Sequence, residues 1–185
     1  MLCLCPVGLS CGLVCSDLEG GICQLDCNEG NTCATDCGLE VCEVDCEQMS
    51  TCVVDAMGDT DVDCIDGSVC TVTTTGDGAN LDCEAGADCT FDAAGADAGI
   101  ACTGMSRCTV TAGRDADVGC VASECDITLA DEGDADCSEG ATCSITCTDD
   151  CTVACRDSSV CEIRCAGETE YTPVEGAEGR CIAGG

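Results

Sequence analysis

Within residues 70–112 the chain reads Cys70-Thr-Val-Thr-Thr74, Ala79-Asn-Leu-Asp-Cys83, Cys89-Thr-Phe-Asp-Ala93, Ala98-Gly-Ile-Ala-Cys102 and Cys108-Thr-Val-Thr-Ala112. Each stretch is one five-residue unit: Cys or a small residue, a variable residue, a large apolar residue, a variable residue, and again Cys or a small residue. Alternation with a period of two and a β-branched centre is the pattern of a short strand with one buried face, here the first, third and fifth positions. The unit recurs in seventeen copies from Cys11-Gly-Leu-Val-Cys15 to Cys161-Glu-Ile-Arg-Cys165, and only Thr35 is polar at the centre. Between copies lie turns rich in Gly, Asp and Ser, such as residues 65–69, 84–88 and 138–142. From Cys23 onward successive copies start 8 to 10 residues apart, a longer step alternating with a shorter one, so the true repeat is a pair of about 18–19 residues.

A strand, a turn, a second strand and a second turn make one coil. Stacking coils buries a line of apolar centres that no single coil can bury alone. The fold expected is all-β: a two-sheet β-solenoid of about eight coils over residues 1–165, with residues 166–185 as a C-terminal cap or tail. The expected core is Leu25, Val44, Val54, Val62, Val72, Leu81, Phe91, Ile100, Val110, Val118, Ile127, Ile145, Val153 and Ile163. The apolar N-terminal stretch lacks a basic leader and its cysteines fall in step with those downstream, so it reads as part of the rod.

Cysteine supplies 27 of the 185 residues, a density that marks a disulfide scaffold and hence an oxidising compartment, so the chain is expected to be secreted or displayed at a cell surface. Spacing proposes the pairs. Where one strand ends in Cys and the next begins with Cys, the two are joined across the turn: Cys5 with Cys11, Cys15 with Cys23, Cys27 with Cys33, Cys46 with Cys52, Cys64 with Cys70, Cys83 with Cys89, Cys102 with Cys108, Cys120 with Cys125, Cys137 with Cys143 and Cys155 with Cys161. A disulfide holds Cα atoms about 5.5 Å apart, so these ten would clamp the two sheets at one pinched edge. The opposite edge carries facing small residues (Ala56 with Thr60, Thr74 with Ala79, Ala93 with Ala98, Ala112 with Ala116), with Cys37 to Cys42 and Cys147 to Cys151 as further clamps near the ends. Cys165 with Cys181 closes the C-terminal segment, and Cys3 is left over.

Composition excludes several functions. The formal net charge is -32, from 37 acidic residues against five basic ones, all arginine, so phosphate neutralisation has no basis and nucleic acid is not an expected partner. Without histidine or lysine, the nucleophile–base pairs, Schiff bases and histidine-ligated metals are absent as well, and no enzyme activity is expected. A metal–thiolate protein would be rich in Cys-x-Cys and lysine, whereas the only Cys-x-Cys is Cys3-Leu-Cys5. No run of 18 apolar residues could span a membrane.

The outward positions divide into two faces. One sheet is acidic and is densest at Glu43, Asp45, Asp61, Asp63 and Asp82, where a calcium ion with oxygen ligands would relieve the repulsion between stacked carboxylates; no other cofactor is implied. The other sheet is threonine-biased, with Thr71/Thr73 and Thr109/Thr111 strictly and residues 126–128 and 144–146 more loosely. At these Thr-Val-Thr units the chain resembles insect antifreeze solenoids, which also stack short disulfide-braced coils. That resemblance implies ice as a ligand, met by Thr71, Thr73, Thr109, Thr111, Thr128 and Thr146.

The expectation is therefore a structural protein: a rigid acidic rod that associates end to end into a filament, coat or spacer, with ice or calcium binding as the alternative. With so thin a core, covalent closure must carry the fold. Full reduction should abolish the β circular dichroism at ambient temperature; a β spectrum that survives reduction would show that the Val and Ala core suffices alone.

Overall fold

The computed structural model describes residues 2–4, 10–15, 21–174 and 178–181. In chain order its strands are β1 (Leu2–Leu4), β2 (Ser10–Val14), β3 (Ile22–Cys27), β4 (Thr32–Gly38), β5 (Val41–Cys46), β6 (Thr51–Ala56), β7 (Thr60–Cys64), β8 (Val69–Thr74), β9 (Asn80–Cys83) and β10 (Asp88–Ala93). They continue as β11 (Gly99–Thr103), β12 (Arg107–Ala112), β13 (Asp117–Val121), β14 (Glu124–Leu129), β15 (Gly133–Ser138), β16 (Thr142–Cys147), β17 (Cys151–Cys155), β18 (Val160–Arg164), β19 (Thr172–Val174) and β20 (Glu178–Cys181). Odd-numbered strands from β1 to β17, followed by β20, form one ten-stranded sheet, and the even-numbered strands β2 to β18, followed by β19, form the other. The chain is all-β, a disulfide-rich β-solenoid of about eight turns.

Up to β18 every pairing within a sheet is parallel, and apart from a bulge at residues 36–38 of β4 it is in register, so each residue stacks on its counterpart one coil away. The alternation predicted from the five-residue unit holds strand by strand: Cys70, Val72 and Thr74 of β8 are buried while Val69, Thr71 and Thr73 are exposed. Every predicted central residue lies in the core, from Leu25 and Val44 through Phe91 to Ile163. Thr35, the polar centre, is 4% exposed. Its hydroxyl lies 3.8 Å from Cys23 Sγ and 3.6 Å from Cys37 Sγ; both cysteines are disulfide-bonded and carry no proton, so the threonine is the donor.

Sheet-to-sheet distance at the edges is set by covalent bonds. Along one edge run Cys27 with Cys33, Cys46 with Cys52, Cys64 with Cys70, Cys83 with Cys89, Cys102 with Cys108, Cys120 with Cys125, Cys137 with Cys143 and Cys155 with Cys161. Their Cα separations run from 6.1 Å at Cys27 to 6.7 Å at Cys137. Cys37 with Cys42 and Cys147 with Cys151 close the opposite edge. Cys15 with Cys23 lies there too, not on the first edge as spacing alone suggested, because the β2-to-β3 turn falls on the same side as the β4-to-β5 turn. Cys11 is disulfide-bonded, and the Cys5 expected opposite it falls outside the described residues.

At that opposite edge the coils approach through a stack of glycines. A Cβ placed on Gly58 would stand 2.7 Å from the Leu39 carbonyl oxygen, and Cβ atoms on Gly76, Gly95 and Gly113 would crowd the carbonyl oxygens of Gly58, Gly76 and Gly95 still more closely. Turns at both edges use left-handed residues, as at Ala85 (φ 52°) and Gly86 (φ 78°) on the disulfide edge and Asp97 (φ 58°) on the other. A buried serine closes several of the disulfide-edge turns: Ser106 Oγ donates to the Thr103 carbonyl at 2.6 Å and Ser123 Oγ to the Cys102 carbonyl at 2.9 Å.

The repeat ends differently. β19 and β20 pair antiparallel with β18 and β17, and Cys165 is bonded to Cys181. The Arg164 guanidinium lies 4.9 Å over the Tyr171 ring and donates to Thr146 Oγ1 at 3.1 Å, and the Tyr171 hydroxyl meets the same oxygen at 3.2 Å.

The glycine stack makes a sharp comparison possible. Gly95→Ala must force two coils apart and should cost about 1–3 kcal/mol. Gly12→Ala, where a Cβ meets nothing within 4 Å, should change stability by less than about 0.5 kcal/mol. Denaturant midpoints of the two variants check this, and equal midpoints would contradict it.

Candidate functional site

Register brings the acidic candidates together. Asp45, Asp63 and Asp82 stack in one column of the odd-strand sheet, and Glu43 and Asp61 stack in the adjacent column. Asp26 extends the first column by one rung, through its pairing with Asp45. It was missing from the sequence-derived set because its partner at the other outward position, Gln24, is neutral; counting register along the coils would have found it. Glu47 and Glu84 flank the columns at the disulfide edge, one position beyond Cys46 and Cys83.

The columns impose a measurable electrostatic penalty. The Asp45 carboxyl is pushed from its ordinary 3.8 up to about 6, chiefly by burial, then by a hydrogen bond with Asp26 and by the charges of Asp26, Asp63 and Glu47. Asp63 is raised by burial and by Asp82, Asp61, Glu84 and Glu47. Burial disfavours the ionised form of both carboxyls, and like charges held one rung apart add to it. Rungs about 4.8 Å apart also set neighbouring carboxylates at about the span of two opposite oxygen ligands around calcium, whose metal–oxygen distances are about 2.3–2.6 Å.

On the even-strand sheet, register lines up Thr71, Thr90 and Thr109 in one column. The second column runs Thr73, Asp92, Thr111, Thr128, Thr146. Thr90 shares the threonine-biased face but stands outside the candidate ice-binding set because its unit reads Thr-Phe-Asp, without the second threonine. Asp92 interrupts one column and Asp126 ends the other after Thr109. Thr146 is engaged by Arg164 and Tyr171, which separates it from the open threonines of β8 and β12.

Two other features lie apart from these clusters, the first farther along the same odd-strand sheet. A surface depression of about 430 Å³ sits over Gly119 and Ala154, bordered by Asp117, Asp134, Asp136, Thr152 and Arg156; Arg156 Nη1 reaches Asp136 Oδ2 at 3.3 Å. Cys3, unassigned by spacing, is in register with Leu25 and so stands at a core-line position of β1, away from the edge columns of cysteine.

Fold and bonds together define a disulfide-rich β-solenoid whose cysteine content points to an oxidising environment. No protein-family model, curated protein or solved structure matches the chain, and no family or homologue is identified. Among the described residues no helix is long and apolar enough to cross a membrane.

The raised Asp45 fixes the sign of a pH dependence. The folded chain holds this proton more tightly than the unfolded chain, so the contribution to stability is greatest below the ordinary value of 3.8 and is lost as pH rises through about 6. Acidification from pH 7 to pH 5 should therefore raise the denaturant midpoint, and Asp45→Asn should raise it at pH 7 while flattening the dependence between pH 4 and 6. An Asp45→Asn midpoint lower than wild type at pH 7 would contradict a destabilising charge at Asp45.

Proposed function

We propose that the protein is an extracellular structural protein and not an enzyme: a secreted or cell-surface rod, stiff and acidic, that builds a filament, coat or spacer by end-to-end association. What carries this reading is the way the sheets terminate. Among the described residues β1 and β2 each pair with a neighbour on one side only, and a terminal strand of a parallel ladder offers backbone donors and acceptors that another copy can continue. The other end is less suited to addition, since its last strands run antiparallel and one contains Pro173, which has no N–H to offer. A charge of -32 opposes contact between the flanks of two rods, so association is axial and strengthened by salt or calcium, which screen that charge. The absence of histidine and lysine supports a non-catalytic role, and the acidic surface argues against nucleic acid as a partner.

A second reading, a ligand-binding solenoid, is favoured by the unbroken threonine column of Thr71, Thr90 and Thr109. In it the threonine face binds ice, or the acidic columns bind calcium. Thermal hysteresis that Thr90→Tyr abolishes would support ice; calorimetric binding of calcium that Asp63→Asn weakens would support calcium.

Electron microscopy and sedimentation of the oxidised protein test the first reading. Elongated assemblies are expected, increasing with calcium or ionic strength, and a variant lacking residues 1–10 should remain monomeric. A wild type that is strictly monomeric under all these conditions would overturn the assembly and leave a lone spacer rod.

A further inference from the structure

The sulfurs of successive edge disulfides are close neighbours. Sγ atoms of Cys83, Cys102 and Cys108 lie within 4.8 Å of one another, as do those of Cys102, Cys120 and Cys125 and those of Cys120, Cys137 and Cys143. Each such disulfide thus has a sulfur of the preceding rung against it. The same backbone also offers a second set of partners. Register places Cys83 beside Cys102 in one sheet and Cys89 beside Cys108 in the other. Adjacent strands stand about 4.8 Å apart, inside the range of about 4.4–6.8 Å between Cα atoms that a disulfide accepts. The transverse pairs in place span 6.4 Å. Diagonal pairs, such as Cys83 with Cys108, combine both offsets to about 8 Å and are excluded.

We propose that this sulfur column undergoes thiol-catalysed re-pairing, in which the transverse disulfides of two neighbouring rungs, Cys83 with Cys89 and Cys102 with Cys108, exchange for two axial ones, Cys83 with Cys102 and Cys89 with Cys108. The catalyst is a small monothiol. Its thiolate attacks Cys89 Sγ, forming a mixed disulfide and releasing the bonding pair to Cys83 as thiolate. Cys83 attacks Cys102 Sγ, the bond to Cys108 breaks, and Cys108 leaves as thiolate. Cys108 then attacks Cys89 Sγ and expels the monothiol. Two disulfides are consumed and two are formed, the monothiol is regenerated with its proton, and nothing is oxidised or reduced overall.

The two states differ in what they hold. A transverse bond joins residues 6 apart in sequence within one turn. An axial bond joins residues 19 apart, ties one coil to the next, and closes a longer loop of the unfolded chain. Re-pairing therefore converts a rod clamped across its thickness into one locked along its length, which resists loss of coils one at a time. It does not depend on whether rods associate with one another. All four cysteines are buried, so the monothiol reaches Cys89 only when the turn opens; only its thiolate attacks, so exchange is slow near neutral pH and accelerates about tenfold per pH unit up to about pH 8.5, the free thiol's own range.

Disulfide mapping tests the proposal on the intact oxidised protein. It is incubated anaerobically with a small fraction of reduced glutathione at pH 8.5, quenched in acid, alkylated, and cleaved at aspartate and arginine. Expected are peptides joining Cys83 to Cys102 and Cys89 to Cys108 in equal amounts, matched by loss of the two transverse pairs, with the total disulfide content unchanged. Transverse pairs alone, with or without incorporated glutathione, overturn it. In Cys89→Ser, which leaves Cys83 as the attacking thiol, the expected alkylation site is Cys108, with Cys83 bonded to Cys102. Alkylation confined to Cys83 in a variant that retains its β spectrum overturns the exchange step, and if that variant does not fold, the wild-type mapping decides alone.

Discussion

Parallel pairing in register, with one coil directly over the next at about 4.8 Å, is the constraint on which the rest of this structure depends. Under it a residue's nearest axial neighbours are its own counterparts, so every preference at one position is repeated as a column. Columns of Cys, of Val and Ile, of Gly and of Asp are all consequences of one geometry, and each is tolerated for a different reason. Cysteine columns are satisfied across the turn, within a rung. Aliphatic columns pack against the facing sheet. Glycine columns exist because the coils approach at Gly58, Gly76, Gly95 and Gly113 until no Cβ fits between one coil and the next. The Asp26, Asp45, Asp63 and Asp82 column is the cost of the arrangement, since nothing in register neutralises it.

That cost decides what else the molecule must contain. A core built mostly of cysteine and alanine, with valine, leucine and isoleucine at the strand centres and a single phenylalanine, buries little apolar volume per residue, and a charge of -32 works against it. Each transverse disulfide, closing a loop of about six residues, contributes on the order of 2 kcal/mol in the chain-entropy picture. No other interaction present matches that at comparable density. The ion pairs are few and exposed, as at Arg107 with Glu124, where both side chains are 64% exposed, and such pairs contribute little. The disulfides are thus what permits so thin a solenoid to carry so acidic a surface.

Much of this was legible because the sequence period and the structural period coincide. Once the five-residue unit is seen, the buried line, the alternation of sheets and the pairing of Cys64 with Cys70 or Cys102 with Cys108 follow from spacing. What was not legible lies where the repeat is broken or where the third dimension enters. β1, β19 and β20 carry no copy of the unit, so pattern matching cannot see them. Assigning Cys15 to the wrong edge came from treating all Cys-to-Cys turns alike, although the side a turn occupies is set by which sheet the preceding strand belongs to. Thr90 and Asp26 escaped because the candidate sites were chosen unit by unit, whereas a face is built from columns. The glycine stack escaped for a related reason: only backbone-to-backbone distance between coils distinguishes a glycine required by close approach from one serving a turn.

Where the repeat stops, the physics of the two ends separates. A parallel coil can be continued by another coil of the same kind, because its edge presents the same spacing of donors and acceptors that its neighbour has already used. After Ile163 the chain gives up that property. Arg164 turns its guanidinium onto Tyr171 and Thr146, Cys165 is tied to Cys181, and the two last strands reverse direction over β18 and β17. An antiparallel strand spaces its hydrogen-bonding groups in alternating narrow and wide pairs, not at the even intervals of a parallel ladder. A further parallel coil would therefore meet a mismatched edge there, and Pro173 removes one donor from it outright. A stack built from nearly identical coils thereby acquires a direction that its repeat does not possess.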